Sequence, residues 1–194
     1  EAAMLVLIQS INPMTETWRC LRSVETITEE AAIELADYRG DFLNLHGVTT
    51  LSPKAAKALA PYHGRLILDA LENLPPRVAK QLIKCKGELS LPKLAKPTPE
   101  VCEILASCSG PLQLSGLTEL ESVDLASKLV ASTSESDWML NFDGLTSISL
   151  PIATALASSH TTLSFAGLTA ISEKQAKALA RCNGGLSLDG LTQL

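Results

Sequence analysis

FLNLHGVTTLSPKAAKALAPYHG, residues Phe42 to Gly64, holds two periods in one phrase. Its first half, FLNLHG, alternates apolar and polar residues, the period of a strand with one buried face. Its second half, SPKAAKALAPYHG, is rich in Ala, Lys and Leu at a spacing of three to four. That spacing sets Ala56, Leu59 and Ala60 on one helical face, with Lys54 and Lys57 elsewhere on the surface. Ser52 before Pro53 is a helix start, because the hydroxyl can accept from a free amide and Pro suits the first turn. Thr28 before Glu29 and Thr98 before Pro99 repeat that logic. Gly40, Gly64, Gly87, Gly110 and Gly184 fall where each helix ends and are expected to form left-handed caps.

The same phrase runs through the chain. The first Leu of each unit is Leu43, Leu66, Leu89, Leu112, Leu140, Leu163 and Leu186, so the unit length is 23 residues with one step of 28. Parallel columns hold Leu45, Leu68, Leu91, Leu114, Phe142, Phe165 and Leu188, then Val48, Leu71, Leu94, Leu117, Leu145, Leu168 and Leu191. A period of this length marks a solenoid, in which each coil buries its apolar face only against its neighbours. Strands joined through helices must pair in parallel. Strands stack at ~4.8 Å and packed helices need ~8–10 Å, so the stack is expected to fan open with strands on the inner side.

The pattern LxLxGLTxLSxxxAxALAxxxG resembles the leucine-rich-repeat superfamily, in an Ala-rich variety typical of bacterial arrays, and covers roughly residues 19 to 194. The resemblance implies an α/β fold: a right-handed solenoid with a parallel sheet on the concave side and short helices on the convex side. It departs from the common family pattern in lacking the Cys-rich terminal caps of extracellular members, and at one position of the repeat. Where many such repeats carry an Asn after the strand, this chain has Val48, Leu71, Leu117, Leu145 and Leu168. Thr49, Thr118, Thr146, Thr169 and Thr192 follow, and their hydroxyls are expected to take over the bonding between coils.

The units divide into one degenerate repeat from Arg19, six regular repeats, and the start of a seventh strand-turn unit. Residues 1–18, with Met4, Leu5, Leu7 and Ile8, are expected to cap the N-terminal end. The long step comes from a polar insertion near 131–137, ASTSESD, expected to be a surface loop that bends the array. Because the sequence stops just after opening its seventh unit, the expectation is a fragment of a longer array. The other reading is an end covered by a second copy or a partner, with end-to-end self-association through the open edge.

Composition narrows the function. With 46% hydrophobic residues the chain can build a continuous core, and with 4% aromatic that core must be aliphatic. A net charge of −5 speaks against a nucleic-acid partner. No run approaches the ~20 apolar residues of a membrane span. Five cysteines without a CxxC give neither a disulfide framework nor a zinc site, and no Asn-x-Ser/Thr glycosylation signal occurs. These absences point towards a reducing, cytoplasmic setting. Cys85, Cys108 and Cys182 share one repeat position with Tyr38 and Tyr62, two residues before a Gly, which reads as the partly buried end of each helix. A Cys85–Cys108 disulfide between adjacent coils is left open.

Catalytic signatures are absent: there is no GxxxxGK[ST], GxGxxG, HExxH or GxSxG. No cofactor is called for. His46, His63 and His160 have no carboxylate or thiol at motif spacing and read as solvated. A parallel β-helix hydrolase is the alternative from another class. Its carboxylates would be Asp69, Asp143 and Asp189, whose nearest pair is two strands or ~10 Å apart, marginal against the ~5–9.5 Å of glycosidase pairs, and the Ala-rich helical halves argue against all-strand coils.

What remains is the outward side of the strands. Its columns carry Phe42, Arg65, Glu88 and Met139; then Asn44, Ile67, Gln113 and Asn141; then His46, Asp69 and Asp143. Phe42, Arg65, Ile67 and Met139 are of hot-spot type, with Trp138 at the edge. These residues make a docking face for a protein partner the expected function, in a non-catalytic interaction module or scaffold, with spacer duty as the alternative.

Overall fold

The computed structural model describes residues 24–133 and 139–193, so the proposed N-terminal cap, most of the insertion and Trp138 lie outside the described residues. Among the described residues seven helices alternate with seven short strands. They are α1 (Glu29–Ala36), β1 (Phe42–Asn44), α2 (Pro53–Leu59), β2 (Arg65–Ile67), α3 (Pro76–Leu82), β3 (Leu89–Ser90) and α4 (Pro99–Ala106). There follow β4 (Leu112–Gln113), α5 (Val123–Ala131), β5 (Met139–Asn141), α6 (Leu150–Leu156), β6 (Thr162–Ser164), α7 (Glu173–Leu179) and β7 (Leu186–Ser187). Helices pack on the helices of neighbouring coils and strands on neighbouring strands.

Helix starts follow the sequence. The hydroxyls of Thr28, Ser52, Thr98, Ser122, Ser149 and Ser172 each accept the amide three residues on. Pro75, the N-cap of α3, has no side chain to do so. On α2 it is Ala55, Ala56 and Leu59 that go fully inward, while Ala60 is half-buried. The Leu columns form one core that runs through every coil, from Ile27 to Leu179.

The left-handed glycine caps do not form: no described Gly has positive φ, and every C-cap lies in or next to the right-handed helical region. The column is glycine because consecutive coils touch there. A Cβ on Gly110 would lie 2.5 Å from the carbonyl oxygen of Gly87, far inside contact distance. A second glycine column after the strands has the same cause, since a Cβ on Gly144 would lie 2.5 Å from the Leu117 oxygen. Close approach, not backbone conformation, selects Gly here.

Coils are also sewn together by side chains. Thr49, Thr118 and Thr192 hydroxyls donate to the carbonyls of Glu25, Ala95 and Thr169 in the preceding coil, at 3.5, 3.3 and 3.1 Å. Their own amides donate to the same three oxygens, so Thr does take over the bonding at these positions. The Tyr and Cys column does similar work at the other end of the coil. Tyr62 Oη donates to Gly40 O at 2.8 Å, and Cys108 and Cys182 thiols reach Ile83 O and Ser159 O.

The single continuous sheet expected from the repeat is not what forms. Strands β1 to β4 pair in order as one parallel sheet, β5 to β7 as another, and β4 does not pair with β5. Within the sheets the Leu amides donate to the next coil, for example Leu89 N to Pro111 O and Leu91 N to Gln113 O, both at 3.0 Å. Among the described residues no such bond joins Leu112 or Leu114 to β5. Leu140 is correspondingly half-buried, whereas Leu43, Leu66, Leu89, Leu112 and Leu163 in its column are at most 2% exposed. The helix layer carries on across the break, with α5 packed on α6.

Candidate functional site

Burying alternate Leu side chains turns the intervening residues of each strand away from the core. On the first sheet this gathers four of the expected docking residues. Phe42, Arg65, Ile67 and Glu88 border one hollow of about 790 Å³, wide open to solvent, together with Arg39, Asp41 and His63. Phe42 is half exposed. Arg65 Nε donates to Glu88 Oε2 at 2.7 Å across β2 and β3, an opposite-charge cross-strand pair. The other oxygen, Glu88 Oε1, is buried and accepts no hydrogen bond.

Asn44, His46 and Asp69 form a second group beside it. His46 Nδ1 lies 2.5 Å from Asp69 Oδ2, and Asn44 Nδ2 donates to the same oxygen at 3.2 Å. The reading of His46 as a solvated, unaccompanied histidine is thus wrong. Its carboxylate comes from the next coil, 23 residues away, so no local spacing could reveal it; the shared column of His46 and Asp69 was the available signal. His63 and His160 are exposed, as expected.

Met139, Asn141 and Asp143 belong to the second sheet and do not join the hollow around Phe42. Met139 and Asn141 instead face Gln113 across the break between β4 and β5, over a cleft of about 90 Å³ floored by Leu112, Leu114 and Phe142. Asp143 acts as a clasp on the next coil. Ala166 N–H and the Ser164 hydroxyl donate to its Oδ1 at 2.8 and 2.6 Å, and Asn141 Nδ2 to its Oδ2 at 3.0 Å. These donors, the Ala166 amide foremost, hold its carboxyl below the ordinary carboxylate range. Ser187 donates to Asp189 at 2.7 Å in the equivalent position. Ser90 and Ser164, on the outward columns, are nevertheless buried.

The described cysteines offer little chemistry. Cys85, Cys102, Cys108 and Cys182 are free, so Cys85 and Cys108 are not bonded. Burial, with a smaller push from Cys108, raises the Cys85 thiol to about 12, and burial raises Cys108 and Cys102 as well. Thiols so protonated are poor nucleophiles. Among the described residues no group of three or more His, Cys, Asp and Glu side chains is placed to hold a metal ion, and no helix is long and apolar enough to cross a membrane.

No protein-family model matches this chain, and neither does any curated protein. The functional reading therefore stands on the residues themselves.

Proposed function

We infer that the chain is a non-catalytic interaction module, a right-handed solenoid of leucine-rich-repeat type that docks a protein partner on its strand face. The hollow where Phe42, Arg65, Ile67 and Glu88 converge carries this reading. Four side chains from three successive coils meet there, and they include an aromatic and an Arg, the types that dominate binding energy. Catalysis is a poorer use of the same surface. The His46–Asp69 pair has no nucleophile among its bonded neighbours, and the Asp143 carboxylate is occupied in holding coils together. Each coil of one strand and one helix also differs from the all-strand coils of a β-helix hydrolase.

Photo-crosslinking tests the reading. A benzoylphenylalanine placed at Ile67 on the strand side, or at Lys80 on the helix side, is irradiated in lysate of the source cells. The expected result is a discrete adduct from position 67 that is absent from position 80. Adducts from the helix side alone would move the interface there, and no adduct from either would favour spacer duty.

A further inference from the structure

We propose that the break between β4 and β5 takes a short extended segment of a partner protein, which pairs with β4 in parallel and sets one aliphatic side chain into the cleft. This rests on the docking reading and adds where on the strand face, and by what chemistry, the partner is held.

Two features coincide at this place. The first is a pair of backbone donors. In the intact ladders the Leu amides of a strand donate to carbonyls two residues apart on the next coil: Leu66 and Leu68 to Glu88 and Ser90, Leu89 and Leu91 to Pro111 and Gln113. The amides of Leu112 and Leu114 stand at the same two positions on the edge strand β4, and they have no acceptor among the described residues. The second is the cleft between the two sheets, about 90 Å³, lined by Leu112, Leu114, Leu140 and Phe142 and reaching Leu129 of α5.

The register of the ladder ties the donors to the cleft. Between each pair of accepting carbonyls sits the next core Leu: Leu89 between Glu88 and Ser90, Leu112 between Pro111 and Gln113, both at most 1% exposed. A segment whose carbonyls accept from Leu112 and Leu114 must therefore turn its middle side chain into the cleft, because side chains alternate along a strand. That side chain takes the place where the Leu column is broken, between Leu112 and the half-buried Leu140. Volume sets its class: a cavity of ~150 Å³ holds a benzene ring, so 90 Å³ suits Val or Leu and not an aromatic. The turn sets the length, since the coils touch where Gly144 lies against the Leu117 carbonyl. Pairing is thus confined to the edge from Leu112 to Leu114. Addition of an extended chain to a free sheet edge, with a pocket for one side chain, is a general mode of peptide recognition.

The test is hydrogen-exchange NMR on the whole chain with the capped peptide acetyl-STLTS-amide, against counterparts with Asp or Trp at the centre. At about nine times its dissociation constant the Leu peptide should slow the Leu112 and Leu114 amides about tenfold, because one-tenth of the protein stays free. The Leu66 and Leu68 amides should not change, and the Asp and Trp peptides at the same concentration should have no effect. Ser115→Leu, at an exposed position on the rim of the cleft, covers it with a side chain of this chain and should abolish the slowing. Thr154→Leu on α6 should leave it intact. The comparison of the three peptides needs no variant and decides the matter if Ser115→Leu fails to fold. Equal slowing by the Leu and Asp peptides, slowing that survives Ser115→Leu, or no slowing at any concentration overturns the proposal. So does protection of both amides before peptide is added, because the chain then covers its own gap. Crosslinks from position 67 obtained in any of these cases would leave the docking reading standing, with the partner held elsewhere on the strand face.

Discussion

Asp143→Asn isolates what one carboxylate contributes to holding two coils together. The substitution keeps size and shape but replaces the oxygen that accepts from Ala166 N–H and the Ser164 hydroxyl, or leaves it uncharged. A hydrogen bond to a charged group contributes about 1.5–3 kcal/mol when well shielded. The site is half exposed, so each is discounted to about 1 kcal/mol, giving a loss of about 2 kcal/mol for the pair. Because the folded carboxyl is held below its ordinary value of 3.8, its contribution is complete above that pH and disappears as pH falls further. Urea unfolding of both proteins should therefore show the full gap at pH 7, still nearly full at pH 5, and narrowing below pH 4. A gap under about 0.5 kcal/mol at pH 7, well below the net value of even one such bond, would refute the clasp. So would a gap that stays constant down to pH 2.5, because the wild-type carboxylate is then not the source.

Three further expectations follow from the stitching of the coils. The Leu112 and Leu114 amides, lacking partners on β5 among the described residues, should exchange with solvent much faster than those of Leu66, Leu68, Leu89 and Leu91 in hydrogen-exchange NMR. Gly110→Ala should destabilise by about 1–3 kcal/mol through forced separation of two coils, seen as a melting temperature lowered by roughly 3–10 °C. At pH 8 Cys85 should resist iodoacetamide in the folded protein and react once urea unfolds it, since burial keeps its thiol protonated to about 12.

Most of the architecture was legible because a repeat tests each assignment seven times. A single LNL could be a strand or part of a helix, but Leu43, Leu66, Leu89 and their successors return in one register, and the strands lie on them. The caps at Ser52 and Thr98 were legible for a local reason: the donor and acceptor sit three residues apart. What escaped was contact between coils. The glycines looked like helix caps because their position in the unit suits a cap, while the atom that excludes a side chain belongs to the preceding coil. His46 looked solvated for the same reason, as its Asp69 is on the next strand. The docking residues were read as one face, yet Phe42 and Met139 border separate features because the sheet between them is interrupted.

That interruption falls at the 28-residue step of the repeat. Glycines touch the preceding coil at two levels, ahead of the strand at Gly64, Gly87, Gly110 and Gly184, and after it at Gly116, Gly144, Gly167 and Gly190. Gly87 and Gly110 pin the coils of β3 and β4 at the first level, where the Tyr and Cys column also bonds backwards. The sequence 132–138, STSESDW, contains no Gly, Tyr or Cys, but the coil of β6, with Ser159 and Thr161 in those columns, lacks them too and its strand pairs with β5 throughout. Behind the strand the second pin is intact, with Gly144 against Leu117. The strands part while the turn at Gly144 and the helix layer stay packed. Burial follows the opening: Leu140 is half exposed to the cleft, Phe142 is 2% exposed, and Leu145, next to Gly144, is fully buried. What sets this coil apart from that of β6 is its five extra residues, and a variant without them should rejoin the two sheets, seen as slowed amide exchange at Leu112 and Leu114.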